Sequence, residues 1–220
     1  MKIFSKRYTV YGKFSKIKSS PACTEKIFNV LNKDDFLPFN IQVFQINKDK
    51  DQIVKTLQPG FVNKEKNIEI TFMPDKIEIT IKNNFSDMLS MVINYINQFS
   101  EIFNIKIEAF SLETVLQLRN IDLNLSNSIK NKIIPSNSLF YEADDIVWQV
   151  AHKKKIHKQD NDIIISERIN CSEESESLAK IEYDIIMNVK KNKDISNEEH
   201  LKELDSMTNT NISDIERVLG

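Results

Sequence analysis

The sequence predicts an α+β fold: twisted antiparallel sheet, with a helix after each set of strands covering one face. Three stretches carry that expectation. Ile68-Glu69-Ile70-Thr71-Phe72 and Ile77-Glu78-Ile79-Thr80-Ile81 alternate apolar with polar residues on either side of a Met73-Pro74-Asp75-Lys76 turn, the period-2 pattern of a hairpin with one buried face. The period then changes. Leu89, Val92, Ile93, Ile96, Phe99 and Phe103 form one helical stripe, with Ser86 or Asp87 placed to cap the helix. Near the other end, Ser196-Asn197-Glu198-Glu199 reads as a capping box ahead of an inward-facing Leu201 and Leu204.

In chain order, Lys2 to Lys18 reads as a strand with Phe4, Tyr8, Val10 and Phe14 on one face and basic and hydroxyl residues on the other; Gly12 marks a bulge or bend. Ser19-Ser20-Pro21 is a break, Thr24 to Leu31 is apolar but ambiguous in type, and Asn32 to Asp35 is a turn. Pro38 to Ile46 is expected as a strand. Asp49 to Leu57 is expected as a short helix carrying Ile53, Val54 and Leu57, stopped by Pro59-Gly60. After the central hairpin and helix, 105–121 predicts one long strand bent near Ser111.

The Asn- and Ser-rich stretch 120–136 is the expected boundary between an N-terminal half, 1–120, and a C-terminal half, 121–220, in two domains or one continuous one. The second half predicts strands over Leu139–His152, Asp162–Ile169 and Leu178–Val189. Between them come a basic turn at Lys153-Lys154-Lys155 and an acidic loop at Ser172 to Glu176. A second Ser213-x-x-Glu216 signal suggests a C-terminal helix broken near Thr208 to Asn211. Both halves end alike, with antiparallel strands, a polar turn and a Ser-capped helix. An internal duplication and a generic one-sided α+β plan both account for that.

Composition bounds the function. At 220 residues, 40% apolar and 28% charged, the chain is long enough for a core and too hydrophobic for wholesale disorder. A net charge of −2 carries no global message, but the distribution does: the first twenty residues hold six Lys/Arg and no acid, while the end from Asp194 is acidic. The two ends either meet in the fold or mark two binding faces. Two cysteines, no secretory leader and no long apolar span point to a reducing cytoplasm and no membrane partner. The Lys, Asn and Ile bias suggests A/T-rich coding, hence a bacterium, phage or mobile element.

Only three glycines occur, so there is no phosphate-cradling loop, dinucleotide fingerprint or nucleophile elbow, and no cofactor is expected. His152 and His157 flank three lysines that repel a cation, which argues against a metal, and His200 reads as exposed on a helix. Cys23 and Cys171 read as inert small hydrophobes, the acidic loop raising the pKa of Cys171. The adjacent acids Asp34-Asp35, Asp144-Asp145 and Glu173-Glu174 read as turns.

The remaining candidate is the basic cluster next to the only tryptophan: Trp148, Lys153, Lys154, Lys155 and Lys158, suited to an anionic partner. The competing reading is a lysine-rich turn that keeps a sheet edge from pairing with other chains.

The order of hairpin, capped helix and long strand over Asn67–Arg119, with the tail Ala179-Lys180-Ile181-Glu182-Tyr183-Asp184 and the helix from Glu198 to Leu219, resembles a group of sporadically distributed bacterial proteins with no established activity. Leu139–Leu219 is also similar, more loosely, to the SecB-type chaperone fold, which implies binding of unfolded chains or toxin partners without chemistry. The expectation is a non-catalytic, cytoplasmic interaction protein, acting as an inhibitor or as an antitoxin-like, anti-defence or chaperone-like factor. Its partner is expected to be a protein, with a homodimer allowed. The alternative is nucleic-acid binding through Lys2–Lys18 and Lys153–Lys158. A third class, an enzyme with an unfamiliar site, predicts a deep pocket of converging polar groups.

Overall fold

In the computed structural model the described residues are 2–14, 16–31, 34–47, 52–83, 88–137, 147–158, 161–192 and 194–219; of 45–47, 52–54, 158, 161, 218 and 219 the backbone alone is described. Nine strands occur among them: β1 (Lys2–Gly12), β2 (Leu37–Asn47), β3 (Gln52–Asn63), β4 (Ile68–Phe72), β5 (Lys76–Lys82), β6 (Ile107–Asp122), β7 (Trp148–Lys158), β8 (Asn161–Ser175) and β9 (Leu178–Lys190). They join in one twisted antiparallel sheet, in the order β2-β3-β4-β5-β1-β6-β9-β8-β7. Four helices, α1 (Pro21–Leu31), α2 (Met88–Phe103), α3 (Leu123–Ile133) and α4 (Asn197–Leu219), complete the α+β fold that the sequence predicts.

Connectivity repeats. The run β1-α1-β2-β3-β4-β5-α2 is followed by β6-α3-β7-β8-β9-α4, and the two leading strands, β1 and β6, lie side by side in the middle of the sheet. Counting outward from that pair, β5 corresponds to β9 and β4 to β8. The two runs therefore build mirrored wings of one sheet.

Local chemistry explains most element boundaries. Ser20 accepts the Cys23 N–H, Pro21 opens α1 where its missing N–H costs nothing, and Cys23, Ile27 and Leu31 form the buried stripe that settles the ambiguous segment as helix. The Ser196 capping box closes as expected: the Glu199 carboxylate accepts the Ser196 N–H at 2.9 Å, and Ser196 Oγ accepts the Glu199 N–H at 3.2 Å. That bonding holds the Glu199 carboxyl below its usual pKa. The candidate caps Ser86 and Asp87 of α2 lie outside the described residues, as do Asp144 and Asp145. With glycine scarce, the chain places Asp35, Asn67, Asn83, Asn104 and Asn120 at positive φ, the residue types that tolerate it best after glycine.

Gly12 is required for space rather than conformation. A Cβ there would stand 2.6 Å from the Lys106 carbonyl oxygen, where the β1–β6 register slips between Tyr11 and Gly12. Gly12→Ala should lower stability by about 1–3 kcal/mol, read as a lower urea midpoint with an unchanged slope; an unchanged midpoint would mean that β6 yields freely.

Four expectations are corrected. Asp49–Leu57 is not a helix: residues from Gln52 belong to β3, whose pairing with β2 runs from Gln52↔Asn47 to Val62↔Leu37, and the residues before them lie outside the description. The expected boundary stretch 120–136 is not among these; it contains α3, capped by Asp122, whose carboxylate accepts the Asn124 N–H at 2.7 Å. Lys153-Lys154-Lys155 is not a turn but the middle of β7. The acidic loop belongs mostly to β8, which runs on to Ser175. Helix α4 is unbroken, because Leu204, Thr208 and Ile212 continue its buried stripe through the polar stretch.

Candidate functional site

Directly opposed residues of an antiparallel pair point to the same side, so the register sorts the sheet into two faces. One face carries Tyr8, Val10, Ile77, Ile79, Phe110, Leu112, Ile181 and Ile185, all buried beneath the helices. All four helices sit on this side, through contacts such as Asp205 of α4 on Lys6, Phe99 of α2 on Phe72 and Ser126 of α3 on Cys171; α1 packs beside α2. The other face has no covering layer among the described residues.

That open face is polar and laced with ion pairs. Arg7 meets Glu113 at 3.1 Å across β1–β6, and Arg168 Nε donates to Asp184 at 2.8 Å across β8–β9. Lys180 pairs with Glu182 and Lys76 with Glu78, each two residues along one strand. On β7 and β8, Lys155 and His157 both hold Asp162 and keep its carboxyl below the usual range. Most, though not all, of the cations lie further out than the acids; Lys76 and Lys180 are half-buried like the glutamates they pair with. Arg7, Lys82, Lys153, Lys155, Arg168 and Lys190 are exposed, while Glu69, Glu78, Glu113 and Glu182 are half-buried and Asp184 is buried.

The predicted cluster is divided by the strand. Lys153 and Lys155 project from the open face, whereas Trp148 and Lys154 take the opposite parity. Trp148 is buried opposite Cys171, its indole N–H without a partner among the described residues. The side chain of Lys158 lies outside the description. Of the aromatic residues predicted on the face of Lys2–Lys18, Tyr8 and Phe14 are in the core and Phe4 is half-buried. The basic row of β1 is also split, because Lys6 points inward and pairs with Asp205 of α4 at 2.7 Å. The basic start and the acidic finish thus meet.

A feature the sequence reading passed over lies on the helix side. Glu167 of β8 sits in the core-facing row between Ile165 and Ile169; its carboxylate pairs with His152 at 2.6 Å and accepts from Asn211 of α4 at 3.2 Å. Tyr183 of β9 bonds to it as well, and burial together with that carboxylate pushes the phenol pKa up. Beside this group is a cavity of about 500 Å³ bounded by α3, α4 and β7–β9. The only sequence signal was a glutamate interrupting an isoleucine alternation.

Both cysteines are free and buried. The Cys171 thiol is raised by burial, not by the neighbouring acids, with Ser126 opposing. His200, expected at the surface, is wholly buried, stacks on Phe110 at 5.4 Å, and accepts the Asn192 N–H at 3.2 Å. Burial, with Lys191 nearby, lowers its pKa. A lowered folded-state pKa means that the unfolded chain takes up the proton first, so stability is full above about pH 6.5 and falls as pH drops from there through the folded value. His200→Gln should flatten that part of a Tm-against-pH curve; an identical curve would assign the loss elsewhere.

Among the described residues no group of three or more His, Cys, Asp or Glu side chains gathers as a metal site, and no helix is long and apolar enough to cross a membrane. No family model and no curated protein matches the chain.

Proposed function

We propose that this is a non-catalytic binding protein that holds a macromolecular partner, an acidic protein surface, against the uncovered face of its sheet. The observation that supports the reading is the distribution of charge on that face, where six exposed cations, Arg7, Lys82, Lys153, Lys155, Arg168 and Lys190, stand above half-buried or buried acids. An acidic partner meets the cations first, and the underlying carboxylates keep the guanidinium and ammonium groups oriented before contact. A protein fits better than nucleic acid for two reasons. The interleaved acids would repel a continuous phosphate track, and β1 contributes no exposed aromatic pair for base stacking. Inhibition or chaperone-like capture of a bacterial or phage protein in the cytoplasm is the setting we assign, in keeping with two buried free thiols.

The test compares wild type with Arg7→Glu/Lys153→Glu/Lys190→Glu on the open face and with Lys26→Glu on α1 as a control, each cross-linked in cells of a low-G+C host. A protein recovered with wild type and control, and reduced at least about tenfold with the triple variant, is expected. Equal recovery with all three removes the open face from the function. A nuclease-sensitive partner whose retention falls steeply with salt would favour nucleic acid instead.

A further inference from the structure

The core-facing row of β8 runs Ile163, Ile165, Glu167, Ile169, Cys171, so one carboxylate stands where the pattern calls for an apolar side chain. Its partners come from three other elements: His152 on β7, Tyr183 on β9 and Asn211 on α4. Three supports for one carboxylate are more than a surface glutamate collects, and they orient it beside the cavity. The apolar walls are Ile133, Pro135, Val150, Ile169 and Ile215. Among the described residues no lysine or arginine lines the space, and Asp214, paired with Arg217 at 3.1 Å, adds a second carboxylate.

The first wing shows what the same position looks like when it is purely structural. There β4 presents Ile68, Ile70 and Phe72, and α2 covers them with Phe99 and Tyr95, the Phe72 and Phe99 rings 5.1 Å apart edge to face. One wing is packed with aromatic rings. The other keeps a cavity and a carboxylate at the corresponding place.

We propose that this cavity binds a small amphiphilic organic cation, a primary amine on an apolar or aromatic body. Its ammonium bonds to Glu167 in place of His152, which approaches from the solvent and is 60% exposed. Its body lies on the isoleucine, valine and proline walls, and about 500 Å³ falls within the range of small-molecule sites. A carboxylate ligand of the same shape would face Glu167 and Asp214, whose own partners, His152 and Arg217, are already engaged with them. The site is on the helix side of the sheet and stands independently of the partner-binding face.

The experiment uses 2-phenylethylamine and its near-isosteric anion 3-phenylpropionate as probes, followed by isoleucine methyl shifts of the full chain. The amine should bind at millimolar concentration, with shifts centred on Ile133, Ile169 and Ile215, and the anion should not. Glu167→Gln should weaken the amine at least about tenfold, and Ile215→Trp, which fills the cavity from a half-buried helix position, should abolish binding. Absence of amine binding, equal binding of both probes, or an undiminished affinity in Glu167→Gln would each overturn the assignment. Should Glu167→Gln fail to fold, the amine–anion comparison and Ile215→Trp still decide it.

Discussion

Asp205→Ala is expected to cost about 3–5 kcal/mol of unfolding free energy, far more than truncating a solvated helix carboxylate would. Asp205 is the outer end of a short hydrogen-bonded chain into the core: it accepts from Lys6 Nζ at 2.7 Å and from the Tyr8 hydroxyl at 3.0 Å, and Asn209 supports its other oxygen at 3.1 Å. The Lys6 side chain is only 7% exposed. Its immediate neighbours across the sheet are Ile81 and Thr114, neither able to offset a charge. Removing the carboxylate strands an ammonium in the centre of the sheet. Lys6→Met should cost much less, and Lys6→Met/Asp205→Leu should recover most of the loss, because two desolvated charges are replaced by apolar contact. Urea unfolding of the three variants makes the comparison. A loss below about 1 kcal/mol for Asp205→Ala would show that Lys6 reaches water in solution. The bond also joins the two runs of the chain, since β1 opens the first and α4 closes the second.

Elements whose own residues decide their form were legible in the sequence. The β4–β5 hairpin needs only its Ile/Glu/Thr alternation, α2 only its stripe, and the start of α4 only the Ser196–Glu199 exchange. The misread ones are decided by contacts distant in sequence. Ile53, Val54 and Leu57 satisfy a helical spacing as well as a strand, and pairing with β2 is what selects the strand. In α3 the apolar positions are few and Asn and Ser abundant, so low intrinsic propensity hid it; Asp122 at the cap and Lys130 and Lys132 in the last turn were the available signs. The lysine run in β7 resembles a turn because lysine is common in turns, yet it suits a strand at the edge of the sheet, where long charged side chains discourage pairing with other chains.

The surfaces were less legible than the fold, for a geometric reason. Lys153, Lys154 and Lys155 are contiguous in the sequence, but a strand sends neighbours to opposite faces, so a cluster on paper becomes two on one face and one on the other. Arg7, Arg168 and Lys190 share one face only because the order β1-β6-β9-β8 joins their strands in a single sheet. Glu167 needed knowledge of which parity of β8 is covered, and that follows from where α4 docks.

Phe99→Ala should be the most damaging single truncation in the first wing, at about 3–5 kcal/mol. Phe99 is fully buried, edge to face with Phe72 at 5.1 Å and stacked near Tyr95 at 6.3 Å, while Phe61 and Phe36 extend the same cluster. Rings locked on three sides cannot collapse into the space that a lost phenyl leaves, so the cavity term adds to the transfer term. The partly buried Ile215 in the second wing borders space that is already open, and Ile215→Ala removes little packing. The difference extends to dynamics. Amides of β4 and β5 should exchange more slowly with solvent than those of β7 and of the β8 stretch paired to it, since an unfilled wing opens at lower free energy. Equal protection of the two wings, or a Phe99→Ala loss no larger than that of Ile215→Ala, would mean that the second wing closes over its cavity in solution.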